Sequence, residues 1–153
     1  MELTAAFRII WKAMVDHKLF DKGWSFQWDN AKSRCGQCRF EGRIITISRH
    51  YAAVNDEANI RDTILHEIAH ALVGPGHHHD WVWQSMARQI GARPERCATT
   101  DAQVRGNYIG QCVGCNKEIH RYRRPRYLDI PGFYSHTACK RAGKPSDIKW
   151  TRA

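Results

Sequence analysis

An α+β architecture follows from the order in which residue periods appear along the 153 residues. A helical period opens the chain, a two-residue period follows, and a second helical stretch at mid-chain carries closely spaced histidines. In the last quarter these periods give way to arginines and to short cysteine and histidine spacings. The expected organisation is one domain over residues 1–107, with an N-terminal helix and a small antiparallel sheet around a central helix. A separate basic module is expected over residues 108–153.

Leu3, Phe7, Ile10, Trp11, Met14, Val15 and Leu19 recur at helical spacing, which predicts an amphipathic helix packed on the core. Asp16 interrupts its basic face, so a membrane-surface role fits less well than core packing. Next, Trp24, Phe26 and Trp28 alternate with Ser25 and Gln27, the pattern of a half-buried strand ending at an Asp29-Asn30 turn. A turn at Glu41-Gly42 leads into a β-branched second strand, Arg43 to Ser48.

The central helix carries Ile60, Ile64, Leu65, Ile68, Ala69 and Leu72 at three- and four-residue intervals. Asn55 or Asp56 can cap its start, and Gly74-Pro75-Gly76 stops it. His66 and His70 are four residues apart, about one turn, so they share a face and can grip one metal ion. Glu67 is rotated by roughly 100° from His66, within reach of a water at that metal without being a ligand. His-Glu-x-x-His is the helix of zinc proteases: zinc acidifies a water, and the carboxylate takes its proton as it attacks a carbonyl. A strand beside such a helix can pair with an extended substrate.

A catalytic zinc needs only three protein ligands. His77, His78 and His79 follow after a short loop, so one of them is well placed to be the third. Asp80 then caps a helix with Trp83, Met86, Ala87 and Ile90 on one face and Gly91 at its end.

Hydrophobic residues at 42% and charged residues at 25% describe a globular chain. No apolar run approaches the roughly 20 residues that cross a membrane. The start lacks the features of a secretory signal, so a cytoplasmic or nucleoid-associated location in a bacterial or phage-infected cell is expected. Six cysteines then point to metal binding or reduced thiols before disulfides. Nothing indicates an oligomer.

Charge is unevenly spread. Residues 1–111 hold 14 Lys/Arg against 12 Asp/Glu, whereas residues 112–153 hold 10 against 3. Such a concentration is the footprint of a nucleic-acid contact. Within it, Cys112 and Cys115 are separated by 20 residues from a second close pair, His136 and Cys139. Two close pairs at that separation form the ligand set of a zinc ribbon, with His120 as a competing ligand. A segment this short and basic needs the metal to fold. Between the pairs, Arg121, Arg123, Arg124 and Arg126 can neutralise phosphates while Tyr122 and Tyr127 stack on bases. No base-reading motif is present, so single-stranded or distorted DNA is the expected partner. Cys35 and Cys38 make half of another zinc site that Cys97 could extend; a redox pair and packed thiols are the other readings.

The ordered combination of His66-Glu67-Ile68-Ala69-His70, a short loop, a His-Asp-x-x-Trp tract and a helix ending Ile90-Gly91 resembles the SprT-like (Spartan-type) zinc metalloproteases. Arg34 to Cys38, the strand ending at Ser48 and Asn55 to Glu57 extend the likeness, roughly over residues 5–140. The resemblance implies a zincin-like metalloprotease domain followed by a zinc ribbon, with one catalytic and one structural zinc. It favours His79 as third ligand, four residues before Trp83, with His77 before Trp81 as the alternative. His136 stands where such ribbons usually carry a fourth cysteine. The activity implied is cleavage of proteins bound or crosslinked to DNA. A DNA-binding adaptor without proteolysis and a peptidase independent of DNA are the competing expectations.

Overall fold

In the computed structural model, which describes residues 1–95 and 106–153, helix α1 spans Leu3–Asp16. It is shorter than the period through Leu19 predicts, because Lys18 takes a left-handed conformation (φ 56°) and reverses the chain. Leu19 then re-enters the core, fully buried. Only part of the apolar stripe faces inward. Ile10 and Met14 are fully buried, whereas Leu3, Phe7, Trp11 and Val15, spaced by four along one line, are 36–51% exposed.

Strands β1 (Ser25–Asp29), β2 (Gly36–Arg39) and β3 (Ile44–Ser48) form a sheet in the order β1-β3-β2. The antiparallel sheet expected from the sequence is therefore corrected to a mixed one: β2 pairs antiparallel with β3, but β1 pairs parallel with it. The extra strand is the cause. A parallel pair needs an intervening crossover, and β2 supplies it by running back along the outer side of β3. β2 has no β-branched residue, so the sequence shows no strand signal there. Ile45 and Ile47 of central β3 are fully buried.

The Ser48 hydroxyl accepts the Tyr51 N–H and opens α2 (Arg49–Val54), a short helix the periodicity does not show. Of the two candidate caps for the central helix, Asp56 is the one used: its carboxylate accepts the Asn59 N–H at the start of α3 (Glu57–Val73). Ile60, Ile64 and Ile68 of α3 are fully buried, and Gly74 ends the helix. Asp80 accepts N–H bonds from Val82 and Trp83 to start α4 (Trp81–Ile90), and left-handed Gly91 (φ 88°) closes it. Helices α1 and α4 and strand β2 all pack against α3.

The chain divides into two compact units, Met1–Val104 and Arg105–Ala153. In the second, β4 (Tyr108–Cys112), β5 (Glu118–Arg121) and β6 (Ile148–Arg152) form an antiparallel sheet ordered β5-β4-β6. A short helix, α5 (Thr137–Arg141), precedes β6. Residues 96–105, and Cys97 with them, lie outside the described residues. No helix among the described residues is long and apolar enough to cross a membrane.

Candidate metal centres

The helical repeat of α3 places His66 and His70 on one face, as four-residue spacing requires. The loop before α4 brings the third imidazole: His79 Nε2 lies 3.0 Å from His66 Nε2 and 3.2 Å from His70 Nε2. His77, the alternative, is engaged elsewhere, with Nδ1 2.7 Å from the Asp80 carboxylate, and His78 is exposed. The two aromatics that set the choice of register differ sharply. Trp81 is 76% exposed, whereas Trp83 is fully buried, its ring 4.6 Å from the rings of both His66 and His79 and 5.2 Å from that of His70. Trp83 thus forms the wall against which the three imidazoles rest, and its indole N–H donates to the His66 carbonyl. The Gln84 amide holds the loop by donating to the His79 carbonyl at 3.1 Å.

Burial, then the neighbouring imidazoles His70 and His79, push the His66 pKa down to about 3. Burial and His79 push that of His70 down to about 4. Both rings are therefore neutral, with lone pairs available near neutral pH. A shared proton can bridge two imidazole nitrogens but leaves the third lone pair facing them, so the trio lacks internal compensation. A cation supplies it. Nitrogens around tetrahedral zinc are about 3.3 Å apart at ordinary Zn–N lengths, and the two spacings observed lie close to that. The donor set fits zinc.

Glu67 is only 7% exposed and lines the same pocket as the three histidines. Burial raises its pKa to about 8, opposed by a hydrogen bond from the Cys38 backbone N–H and by the charge of Arg34. Arg34 is itself tied to Asp29 at 3.0 Å on the pocket rim. β2 thus lines the pocket through Gly36, Gln37 and Cys38, a segment that the sequence presented as a Cys-x-x-Cys pair and as part of the family likeness, with no strand signal. Cys35 and Cys38 join no metal-binding cluster among the described residues. Along nearly extended chain their Cα atoms are about 10 Å apart, beyond disulfide reach.

In the second unit, the ligand atoms of Cys112, Cys115, His136 and Cys139 lie within 4.8 Å of one another. Cys112 ends β4, Cys115 follows the tight turn through Gly114, His136 precedes α5 and Cys139 lies within it. A Cβ at Gly114 would overlap the Pro145 carbonyl, so only glycine lets the turn pass beneath that segment. Burial pushes the Cys112 pKa up, but the Gly114 and Cys115 amides and the neighbouring Cys115 and Cys139 thiols outweigh it and hold the thiol below its ordinary value. Cys112 and Cys139 sulfurs are 3.7 Å apart, matching the roughly 3.8 Å edge of a tetrahedron with ordinary Zn–S bonds. His136 presents Nδ1, 3.4 Å from Cys115 Sγ and 3.2 Å from Cys139 Sγ. The competing His120 stands outside the cluster, its Nδ1 accepting the Gly106 N–H.

Arg121, Arg123, Arg124 and Arg126 are exposed, as is Tyr127, while Tyr122 is half-buried. Arg124 is paired with Asp129. The Arg126 guanidinium lies 5.4 Å over the Tyr127 ring, which packs 4.2 Å from that of Phe133.

Replacing His79 with Ala is expected to lower the zinc bound by residues 1–104 from one equivalent to none, measured by elemental analysis of the full chain. His77→Ala should retain it. The reverse order would assign the third ligand to His77.

The SprT-like family model matches residues 5–103. Two relatives from two strains of Staphylococcus epidermidis, each named Protein SprT-like, are 34% identical over 95 residues. The aligned stretch covers 54% of this chain and 62% of either relative's length. The family match stops short of the second unit, so the likeness expected to about residue 140 holds as far as 103. Over the unit that carries the three histidines and Glu67, the chain belongs to the SprT-like family.

Proposed function

We propose that the chain is a zinc-dependent endopeptidase with a zincin-like catalytic domain, acting on proteins bound or crosslinked to DNA. The observation that carries this reading is the convergence of His66, His70 and His79 beside a buried, weakly acidic Glu67 in one pocket. Zinc held by the three imidazoles would supply a Lewis acid and lower the pKa of water. Glu67 takes the proton of the attacking water and returns it to the departing amine, for which a carboxylate with raised proton affinity is suited. The edge strand β2, and not central β3, offers an extended substrate a backbone to pair with. The ribbon site at Cys112, Cys115, His136 and Cys139 holds a structural zinc, and the exposed arginines and Tyr127 give the second unit a surface for single-stranded or distorted DNA.

The test is cleavage of a basic DNA-binding protein by the zinc-loaded chain, with and without single-stranded DNA, over a salt series. Cleavage that requires DNA and weakens steeply with salt is expected, since each neutralised phosphate adds to the slope. Equal cleavage without DNA would assign a general peptidase. Salt-sensitive DNA binding without any cleavage would assign an adaptor.

A further inference from the structure

The Cys35-Gly36-Gln37-Cys38 tract fits neither a metal site nor a disulfide among the described residues, yet it lies directly against Glu67. We infer that the Gly36–Cys38 segment of β2 is the seat of the Glu67 carboxylate, Gly36 by having no side chain and Cys38 by donating its backbone N–H. The inference rests on the endopeptidase reading, in which Glu67 is the base.

Strand phase explains the donor. The Ser48 N–H donates to the Cys35 carbonyl at 2.8 Å, and β2 and β3 are antiparallel in that register. Hydrogen-bonded pairs alternate along such a ladder, so Gln37 and Arg39 face β3 while Gly36 and Cys38 turn their backbone groups to the open edge. An edge N–H ordinarily faces solvent; in the seat inferred here that of Cys38 donates to the Glu67 carboxylate instead, which opposes the upward push of burial on its pKa. Charge on the acceptor makes this a strong bond for its type.

Gly36 is not required by backbone conformation, since it is absent from the glycines with positive φ. Close approach requires it. A Cβ there would stand 2.9 Å from the Thr46 carbonyl, 2.9 Å from Ile47 Cδ1 and 3.1 Å from Glu67 Oε1. The Thr46 carbonyl belongs to the central strand and Ile47 is fully buried, so of the three the carboxylate can yield most readily. A seat matters for this residue in particular. A carboxylate is itself a competent zinc ligand, and holding it against β2 keeps it a base beside the metal site.

The test uses the zinc-loaded full chain and reads hydrogen exchange of the Cys38 amide together with kcat and KM. Exchange at Cys38 should be faster by about tenfold or more in both Glu67→Ala and Gly36→Ala, because the edge amide loses its acceptor. Gly36→Ala should lower kcat by about 10- to 100-fold, the effect of a small misplacement of a reacting group. A KM near the wild-type value would separate this from lost substrate binding. Cys38→Pro removes the outward donor without a ladder bond, and its kcat should fall about tenfold or more below that of Cys38→Ala, which keeps the donor.

A folded Gly36→Ala protein with wild-type kcat and a still-protected Cys38 amide would overturn the inference. Should Gly36→Ala fail to fold, equal kcat in the Pro and Ala variants at Cys38 would overturn it. If the wild type cleaves nothing, the endopeptidase reading fails, but the seat is still read directly. Cys38 protection lost in Glu67→Ala supports it, and protection retained overturns it.

Discussion

Glu67→Gln is expected to lower kcat by about 10³-fold, within the range that a positioned general base contributes, while both zinc sites stay filled. The amide matches the carboxylate in size and can still accept the Cys38 N–H, so the pocket should keep its shape. What it cannot do is take a proton from water. Peptide cleavage and zinc content measured on the same preparation separate the two effects. Loss of zinc along with activity would mean that Glu67 is structural. Activity within about threefold of wild type would remove it from the base role.

The metal-free protein offers a control on folding. Burial raises the Glu67 pKa from 4.5 to about 8, so the folded state binds this proton more tightly than the unfolded state does. The stability that goes with the protonated form is fully present below pH 4.5 and is lost as pH rises through about 8. Glu67→Gln has no such dependence. Its melting temperature should therefore exceed that of the wild type above pH 8, with the difference shrinking towards pH 4.5.

Cys112→Ser is expected to unfold residues 105–153 and leave residues 1–104 folded with zinc. Among the described residues of the second unit, the buried apolar side chains are Cys112 and Cys139, both members of the ribbon cluster, and Pro125. The candidate metal cluster thus supplies most of what core this unit has. Three strands of four or five residues and a five-residue helix cannot replace it. Structural zinc contributes about 10–16 kcal/mol in comparable small modules, more than their other interactions provide. Elemental analysis should show one zinc equivalent lost, and amide resonances of residues 106–153 should collapse to random-coil positions. DNA affinity should fall by about tenfold or more, since the arginines would no longer share one surface. A variant that keeps two zinc equivalents and a folded second unit would refute this.

What the sequence by itself determined is local. His66 and His70 share a face because the helix repeats every 3.6 residues, and the pairs Cys112/Cys115 and His136/Cys139 meet because a tight turn or one helical turn spans each gap. The cap Asp80 and the stops Gly74 and Gly91 act within four residues of themselves, so they too were legible, whereas the choice of Asp56 over Asn55 as the other cap was not. Tertiary structure decided the rest. Spacing alone does not distinguish His77 from His79; the buried ring of Trp83 and the Asp80 carboxylate do, each by occupying one of them. Strand order was also hidden, because β2 lacks β-branched residues and owes its place to its partner β3 and to α3. Gly36 and the Cys38 N–H carry no signal of residue type at all. A backbone amide and an absent side chain acquire a role only when folding brings Glu67, some thirty positions along the chain, against them.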